Sequence, residues 1–191
     1  MGALQEEERR FTYADYKEWD LAEGKRYELI RGEAFAMSAP SDFHQSISGE
    51  IFKQIAVYLT GKSCKVRAAP YNVRLFYAGD ESDDTVVQPD ISIICDREKR
   101  GDEGCRGAPD MVVEILSPSN TAREMDRKFG LYQKAGVREY WVVNPEDKTL
   151  QTFLFEGKVI HFRSCAEKDK ADVGIFPGFA VDLAPVFAED V

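Results

Sequence analysis

Asp110-Met111-Val112-Val113-Glu114-Ile115-Leu116-Ser117-Pro118-Ser119-Asn120 leads through Thr121–Gly136 into Glu139-Tyr140-Trp141-Val142-Val143, and this succession decides the fold. Met111 to Leu116 is apolar at every position but Glu114, a continuous run that suits a central strand covered on both faces. Ser117-Pro118-Ser119-Asn120 breaks it and starts a helix. On a helical wheel Thr121, Met125, Lys128, Phe129, Tyr132 and Ala135 share one face, while Arg123, Arg127 and Lys134 project from the other. The helix should stop near Gly136, and Glu139 to Val143 reads as a second buried strand before a turn at Asn144-Pro145-Glu146-Asp147. Strand, helix, strand implies a parallel crossover.

Outward from this unit the remaining elements fall into place. Upstream, strands are expected over Cys64–Ala69, Tyr71–Phe76 and Val86–Cys95, the last interrupted at Pro89, with an acidic connection at 79–84. A long helix from Asp42 to Thr60, begun by Ser41 or Asp42 and stopped at Gly61, carries Ile47, Ile51, Ile55 and Tyr58 as one apolar stripe. Arg26–Ile30 and Glu33–Met37 flank Arg31-Gly32 as a β-hairpin, with Glu28 on the strand face of Ile30. Before it, Tyr13–Leu21 suggests a short helix capped by Thr12, and residues 1–11 a flexible tail. Downstream, Leu150–Phe155 and Lys158–Phe162 form a hairpin around Glu156-Gly157, and 96–109 reads as a charged loop. The expectation is one α/β domain over 12–191, a mixed central sheet flanked by helices.

A chain of 191 residues can bury a substantial core as one domain. It contains no apolar run long enough to span a bilayer and no signal-peptide core at its start, so a cytoplasmic location is expected, with no membrane partner. Cys64, Cys95, Cys105 and Cys165 form no CxxC pair and have no histidine cluster nearby; they are expected as reduced thiols, not as a zinc site or disulfide framework. The formal net charge of -9 opposes non-specific attraction to nucleic acid. Acid is concentrated in Glu6-Glu7-Glu8 and Asp80–Asp84, however, whereas the helix from Thr121 to Arg138 carries Arg123, Arg127, Lys128, Lys134 and Arg138 against Glu124 and Asp126. That helix offers either a local basic surface or an ordinary solvated face.

Lys128 sits on the helix face that should pack a core, and a buried lysine needs a partner. Glu114, surrounded by apolar neighbours, needs one as well, since an uncompensated buried carboxylate costs several kcal/mol, on the order of a lost ion-pair partner. A divalent cation held jointly by Glu114 and Asp90 of Gln88-Pro89-Asp90-Ile91 would compensate it; Mg²⁺ or Mn²⁺ suits hard oxygen ligands from one or two carboxylates, water and phosphate. Such an ion assists phosphodiester cleavage, and Lys128 would hold the attacking water or offset charge in the transition state. The plainer alternatives are a Pro-Asp turn for Asp90, a salt bridge for Glu114, and an i,i+4 pair with Glu124 for Lys128, although Thr121–Glu124 also fits a capping box. Glu28 and His44 are further candidates to line the site, each with a structural alternative, and Glu50 ranks below them. Tyr140 and Trp141 read as core or interface aromatics.

Tyr27-Glu28-Leu29-Ile30-Arg31-Gly32-Glu33, His44-Gln45, Pro89-Asp90, Val113-Glu114-Ile115-Leu116-Ser117-Pro118-Ser119, Lys128 with Tyr132, and Ala135-Gly136-Val137-Arg138-Glu139-Tyr140-Trp141 occur in an order that resembles the Uma-two family of restriction endonucleases, over about residues 12 to 187. That family is similar to the PD-(D/E)XK nucleases. The resemblance implies a restriction-endonuclease-like fold with Asp90 and Glu114 as metal ligands, and it adds Glu28 and His44 to the site. In the superfamily a lysine usually follows two residues after the second acid; here that position is Leu116, so the role would pass to Lys128. Asn144 stands where the family tends to have aspartate, and reads here as a turn residue. The resulting expectation is a Mg²⁺- or Mn²⁺-dependent endonuclease acting on DNA, with Asp90, Glu114, Lys128, Glu28 and His44 at its site. A dimer would suit cleavage of both strands. The alternatives are a non-catalytic nuclease-like binding or accessory module, and a hydrolase of smaller phosphorylated substrates.

Overall fold

In the computed structural model, which describes residues 10–20, 26–118 and 120–188, the strand–helix–strand unit forms as its pattern requires. The first element of the described residues is α1 (Tyr13–Asp20), where Asp15 accepts the Thr12 backbone N–H at 2.9 Å; the expected end at Leu21 lies outside the described residues, as do residues 1–9 of the expected tail. β1 (Tyr27–Ile30) and β2 (Glu33–Ala36) pair through a turn in which Arg31 (φ 52°) and Gly32 (φ 79°) are both left-handed. Glycine is needed at 32 for a second reason: a Cβ there would come 2.9 Å from the Cβ of Arg10. α2 (Asp42–Tyr58) follows, its Ser41 hydroxyl accepting the His44 N–H at 3.2 Å as an N-cap.

β3 (Lys65–Ala68), β4 (Val73–Arg74), β5 (Val86–Val87), β6 (Ile91–Ile94), β7 (Arg100–Gly101) and β8 (Gly104–Arg106) lead to the central β9 (Met111–Ile115). α3 (Ala122–Ala135) is capped by Thr121 and closed by left-handed Gly136, and returns the chain to β10 (Glu139–Asn144). The chain ends with the hairpin β11 (Thr149–Glu156) and β12 (Val159–Ala166), then β13 (Lys170–Asp172) and β14 (Ala180–Asp182). β9 and β10 are parallel, with Glu114 opposite Val142, and the remaining neighbours in their sheet are antiparallel.

The architecture is mixed α/β, but the strands divide differently from the single central sheet expected. Among the described residues there are two six-stranded sheets, ordered β2-β1-β5-β4-β8-β7 and β12-β11-β10-β9-β6-β3, and a two-stranded β13-β14 ribbon. The division falls at Gln88-Pro89-Asp90: proline cannot donate to a ladder, so the Val86–Cys95 run is cut into β5 in one sheet and β6 in the other.

Alternation along β9 sets which residues meet which helix. Met111, Val113 and Ile115 point with Ile91, Ile93, Trp141 and Val143 toward Ile47, Ile51 and Ile55 of α2. Val112 and Tyr140 point the other way, toward Leu131 and Tyr132 of α3, Val73 and Val87 of the first sheet, and Leu75 just after β4. Each fully buried isoleucine contributes about 1.5–3 kcal/mol, so α2 is firmly seated. Glu114, two residues from Val112, faces α3. The strand register also corrects the expectation of four reduced thiols: Cys64 and Cys95 lie one step past the Lys65–Ile94 pair and form a disulfide, leaving Cys105 and Cys165 free. No motif announces such a pair, because it follows from register between strands 31 residues apart.

Candidate active site

Lys128 points inward, as its wheel position requires. Only 6% exposed, its ammonium lies 3.1 Å from Glu28 Oε1 and 3.1 Å from Glu114 Oε1. Glu124 is not its partner; that carboxylate accepts from Asn120 Nδ2 at 3.1 Å, and only the Thr121 half of the expected capping box forms. Tyr132, one turn beyond Lys128, donates its hydroxyl to the same Glu114 oxygen. Glu28 also accepts the Gln88 backbone N–H at 3.1 Å, which ties the first sheet to the segment entering β6.

Asp90 stands directly before β6, held by two backbone bonds: its Oδ2 accepts the Ile115 N–H at 2.7 Å and its carbonyl accepts the Ala69 N–H at 3.0 Å. One step past the Ile91–Val113 pair, it lies across the ladder from Glu114. His44, in the first turn of α2, donates Nε2–H to the Ile115 carbonyl at 3.1 Å and lies 3.5 Å from Asp90 Oδ2. Glu28, His44, Asp90, Glu114 and Lys128 therefore line one cavity of about 310 Å³. Glu50 is absent from its wall and bonds Lys53 and Gln54 instead.

Charge is in excess at its centre. With all three carboxylates ionised, one ammonium leaves two negative charges, with Arg26, whose Nε donates to Gln88, at the margin. Burial pushes the Glu114 carboxyl up to about 7, and the charges of Glu28 and Asp90 push the same way against Lys128 and the Tyr132 hydrogen bond. Burial alone would lower the Lys128 pKa, but Glu114 and Glu28 outweigh it and raise it, so Lys128 remains an ammonium. Tyr132 is raised well above its ordinary value by burial and by Glu114, and remains a phenol donor. His44 feels burial downward but is raised on balance by the Asp90 hydrogen bond and charge, by the Ile115 carbonyl and by Glu114.

A cation is one way to relieve this excess, and the free oxygens suit a hard one. Asp90 Oδ1 and Glu114 Oε2 carry no hydrogen bond among the described residues. No group of three or more His, Cys, Asp or Glu is arranged to ligate a metal among those residues. The protein would thus offer two carboxylates and leave the other positions to water and substrate oxygens, the form in which Mg²⁺ is usually held.

Three residues of this site carry no role in the sequence reading. Tyr132 had a signal, four residues from Lys128 on the same helical face. Gln88 and Arg26 had none, since each acts through a contact between the first sheet and the Pro89 bend. Two expectations for other residues hold: Trp141 and Tyr140 are buried, and Asn144 makes a turn, its Oδ1 accepting the Glu146 N–H at 3.0 Å.

Comparison with known proteins bears on what such a site does. A family model described as "Putative restriction endonuclease" and designated Uma2 matches residues 13–184. "Uncharacterized protein slr1290" of Synechocystis sp. (strain ATCC 27184 / PCC 6803 / Kazusa) is 27% identical over 174 residues, 88% of either chain. "Uncharacterized protein sll1609" of the same organism is 22% identical over 136 residues, 70% of this chain and 74% of that one. A crystal structure described as "a putative nuclease belonging to DUF820" from Anabaena variabilis ATCC 29413 shares the fold, with a TM-score of 0.71 and 19% identity over 93% of this chain and 97% of that chain.

Proposed function

Because the chain belongs to the Uma2 family, we propose that it is a metal-dependent endonuclease that hydrolyses DNA phosphodiester bonds at the Asp90–Glu114–Lys128 cavity. The observation that carries this reading is the buried Lys128 ammonium between Glu28 and Glu114, beside two carboxylate oxygens left free. A purely structural ion pair has no need of the second and third acids, which add repulsion.

Asp90 and Glu114 would hold Mg²⁺ or Mn²⁺. When bound, such an ion supplies Lewis acidity toward the phosphoryl group and a lowered water pKa. Lys128 has three N–H donors, of which two are committed to the carboxylates, so the third can hold the attacking water or a phosphoryl oxygen. It acts as a donor and not as a base, because its pKa is raised. Tyr132 fixes the Glu114 rotamer by occupying Oε1, and Glu28 fixes Lys128. His44 bridges the Ile115 carbonyl and Asp90, holding the two strand ends in register.

The test is cleavage of a DNA panel of varied sequence and methylation in Mg²⁺ or Mn²⁺, with Glu114→Gln as the inactive comparison. If nothing in the panel is cut in a Glu114-dependent way, the catalytic assignment is withdrawn. The net charge of -9 favours a second reading, a nuclease-like accessory module without catalysis. Calorimetry separates them: the nuclease reading requires Mn²⁺ heat that Asp90→Asn removes, and the accessory reading requires none.

A further inference from the structure

Beside the carboxylate cavity lies a larger groove of about 620 Å³ between the β1–β2 hairpin and α3, lined by Arg31, Arg123, Arg127 and Phe35 together with Glu33 and Asp126. Phe35 lines both spaces, so the groove opens beside the site where Lys128 and Glu114 meet. We propose that this groove holds the DNA backbone phosphates flanking the scissile one, through the guanidinium groups of Arg31, Arg123 and Arg127. The inference rests on the nuclease reading of the adjacent cavity and assigns that site its substrate-binding surface.

Two independent observations point to an anionic ligand. None of the three guanidinium groups has an ion-pair partner among the described residues, although two carboxylates line the same groove. Arg127 instead lies over the Phe35 ring, 4.2 Å from its centroid, which holds the guanidinium in the groove and leaves its N–H donors free for phosphate oxygens. Secondly, Arg31 occupies a left-handed position of a two-residue hairpin turn, φ 52°, where Asn, Asp or Gly fits with less strain. Local stability does not favour an arginine there. A turn that places an arginine over an arginine-lined groove is explained by what the side chain binds.

The charge distribution fits this assignment. A chain of net charge -9 repels DNA over most of its surface, so affinity must come from a localised basic strip. Arg123 and Arg127, four residues apart on α3, supply such a strip on the face opposite Lys128 and Tyr132. One helix thus presents Lys128 to the carboxylates and two arginines to the groove.

The experiment is fluorescence anisotropy of a labelled DNA duplex with the full chain in EDTA, where no metal-dependent cutting occurs, over a salt series. Arg31→Asn combined with Arg127→Gln should weaken binding by roughly tenfold or more at low salt and reduce the slope of log K against log salt by about two. Arg163→Ala, on β12 and away from the groove, should do neither. Arg31→Asn alone should weaken binding while leaving the melting temperature unchanged or raised, a pairing that a structural role for Arg31 would not produce. An unchanged affinity and salt slope in the double variant would overturn the proposal, as would a wild-type chain that does not bind duplex at any salt. Failure of the nuclease reading looks different: the groove variants would still lose affinity in these ratios, while wild type would cut nothing with Mn²⁺.

Discussion

Lys128 is stable in the interior because two strands deliver carboxylates to it, and removing it strands both. Lys128→Met should therefore lower unfolding free energy by about 3–5 kcal/mol, and adding Glu28→Gln should recover part of that loss. Urea denaturation of the single and double variants measures both. Glu114 makes a prediction of opposite sign to the usual carboxylate. Its folded pKa is raised from 4.5 to about 7, so between those values the folded state binds the extra proton, and the stability it contributes falls as pH rises through that window. A metal held by Glu114, as proposed, would compete with the same proton, so Mn²⁺ affinity should rise across the same interval and level off above it; calorimetry at several pH values tests this. His44 adds a third prediction. Its pKa should lie above 6.5 in an NMR titration, and Asp90→Asn should bring it down, since burial is then opposed by fewer partners. The imidazolium contributes stability that is present below 6.5 and lost as pH rises through its folded value. With two histidines in the chain, His44 and His161, the assignment is simple. Lys128, Glu114 and Asp90 were legible as residues because each breaks a pattern, a charge in an apolar run or on an apolar face. The contact that joins Lys128 to Glu28 was not, since it spans 100 positions and depends on how β1 docks.

At the scale of elements, α3 shows how far local signals reach. Thr121 accepts the Glu124 N–H, and Gly136 takes the left-handed closing position, both at the places where the sequence marks them. Because this helix carries Lys128, Tyr132, Arg123 and Arg127, its first turn matters to the site as well as to stability. Thr121→Ala should cost about 1 kcal/mol and loosen the Asn120–Glu124 contact at the cavity wall. Hydrogen exchange should show faster opening at Arg123 to Asp126 with little change at Leu131, where packing against the sheet dominates. The long apolar-periodic elements α2, α3, β9 and β10 were all readable, because burial imposes a period of 3.6 or of nearly continuous apolar residues. β7, β8, β13 and β14 were not. Each spans two or three residues, too few for any period to register: β7 and β8 extend the first sheet beyond β4, and β13 and β14 pair only with each other. Pro89 was legible as an interruption, but nothing local says that the two halves belong to different sheets.

Across the whole molecule, two buried glutamates on paired strands separate a site from a scaffold. Glu114 on β9 and Glu139 on β10 are 7% and 1% exposed, and burial raises the pKa of both, so exposure alone does not tell them apart. Their partners do. Glu139 accepts three donors, Trp141 Nε1 at 2.6 Å, the Gly174 N–H at 3.0 Å and the Ile175 N–H at 2.9 Å, which bind the segment before β14 to the central sheet. Both of its oxygens accept hydrogen bonds, and it forms no ion pair among the described residues, the Arg138 charge acting on it only at longer range. Glu114 shares one oxygen between Lys128 and Tyr132 and leaves the other free at a cavity. Both sit in a Tyr-Trp or Val-Val run that looks the same in sequence; what distinguishes them is contributed by backbone 35 positions away in one case and by α3 in the other. Removing either carboxylate should therefore have opposite consequences. Glu139→Ala leaves three donors unpaired, those of Trp141 and Ile175 buried, and should destabilise the fold by about 3 kcal/mol or more, while any Mn²⁺ affinity of the folded fraction is kept. Glu114→Gln should lose Mn²⁺ affinity and any DNA cleavage, yet at pH 8 its unfolding free energy should match or exceed that of wild type, because a costly buried charge has gone. Denaturation and calorimetry on both variants decide the matter: a Glu114→Gln chain that keeps its metal affinity, or one as unstable as Glu139→Ala, would make Glu114 a second structural anchor and not the centre of the site.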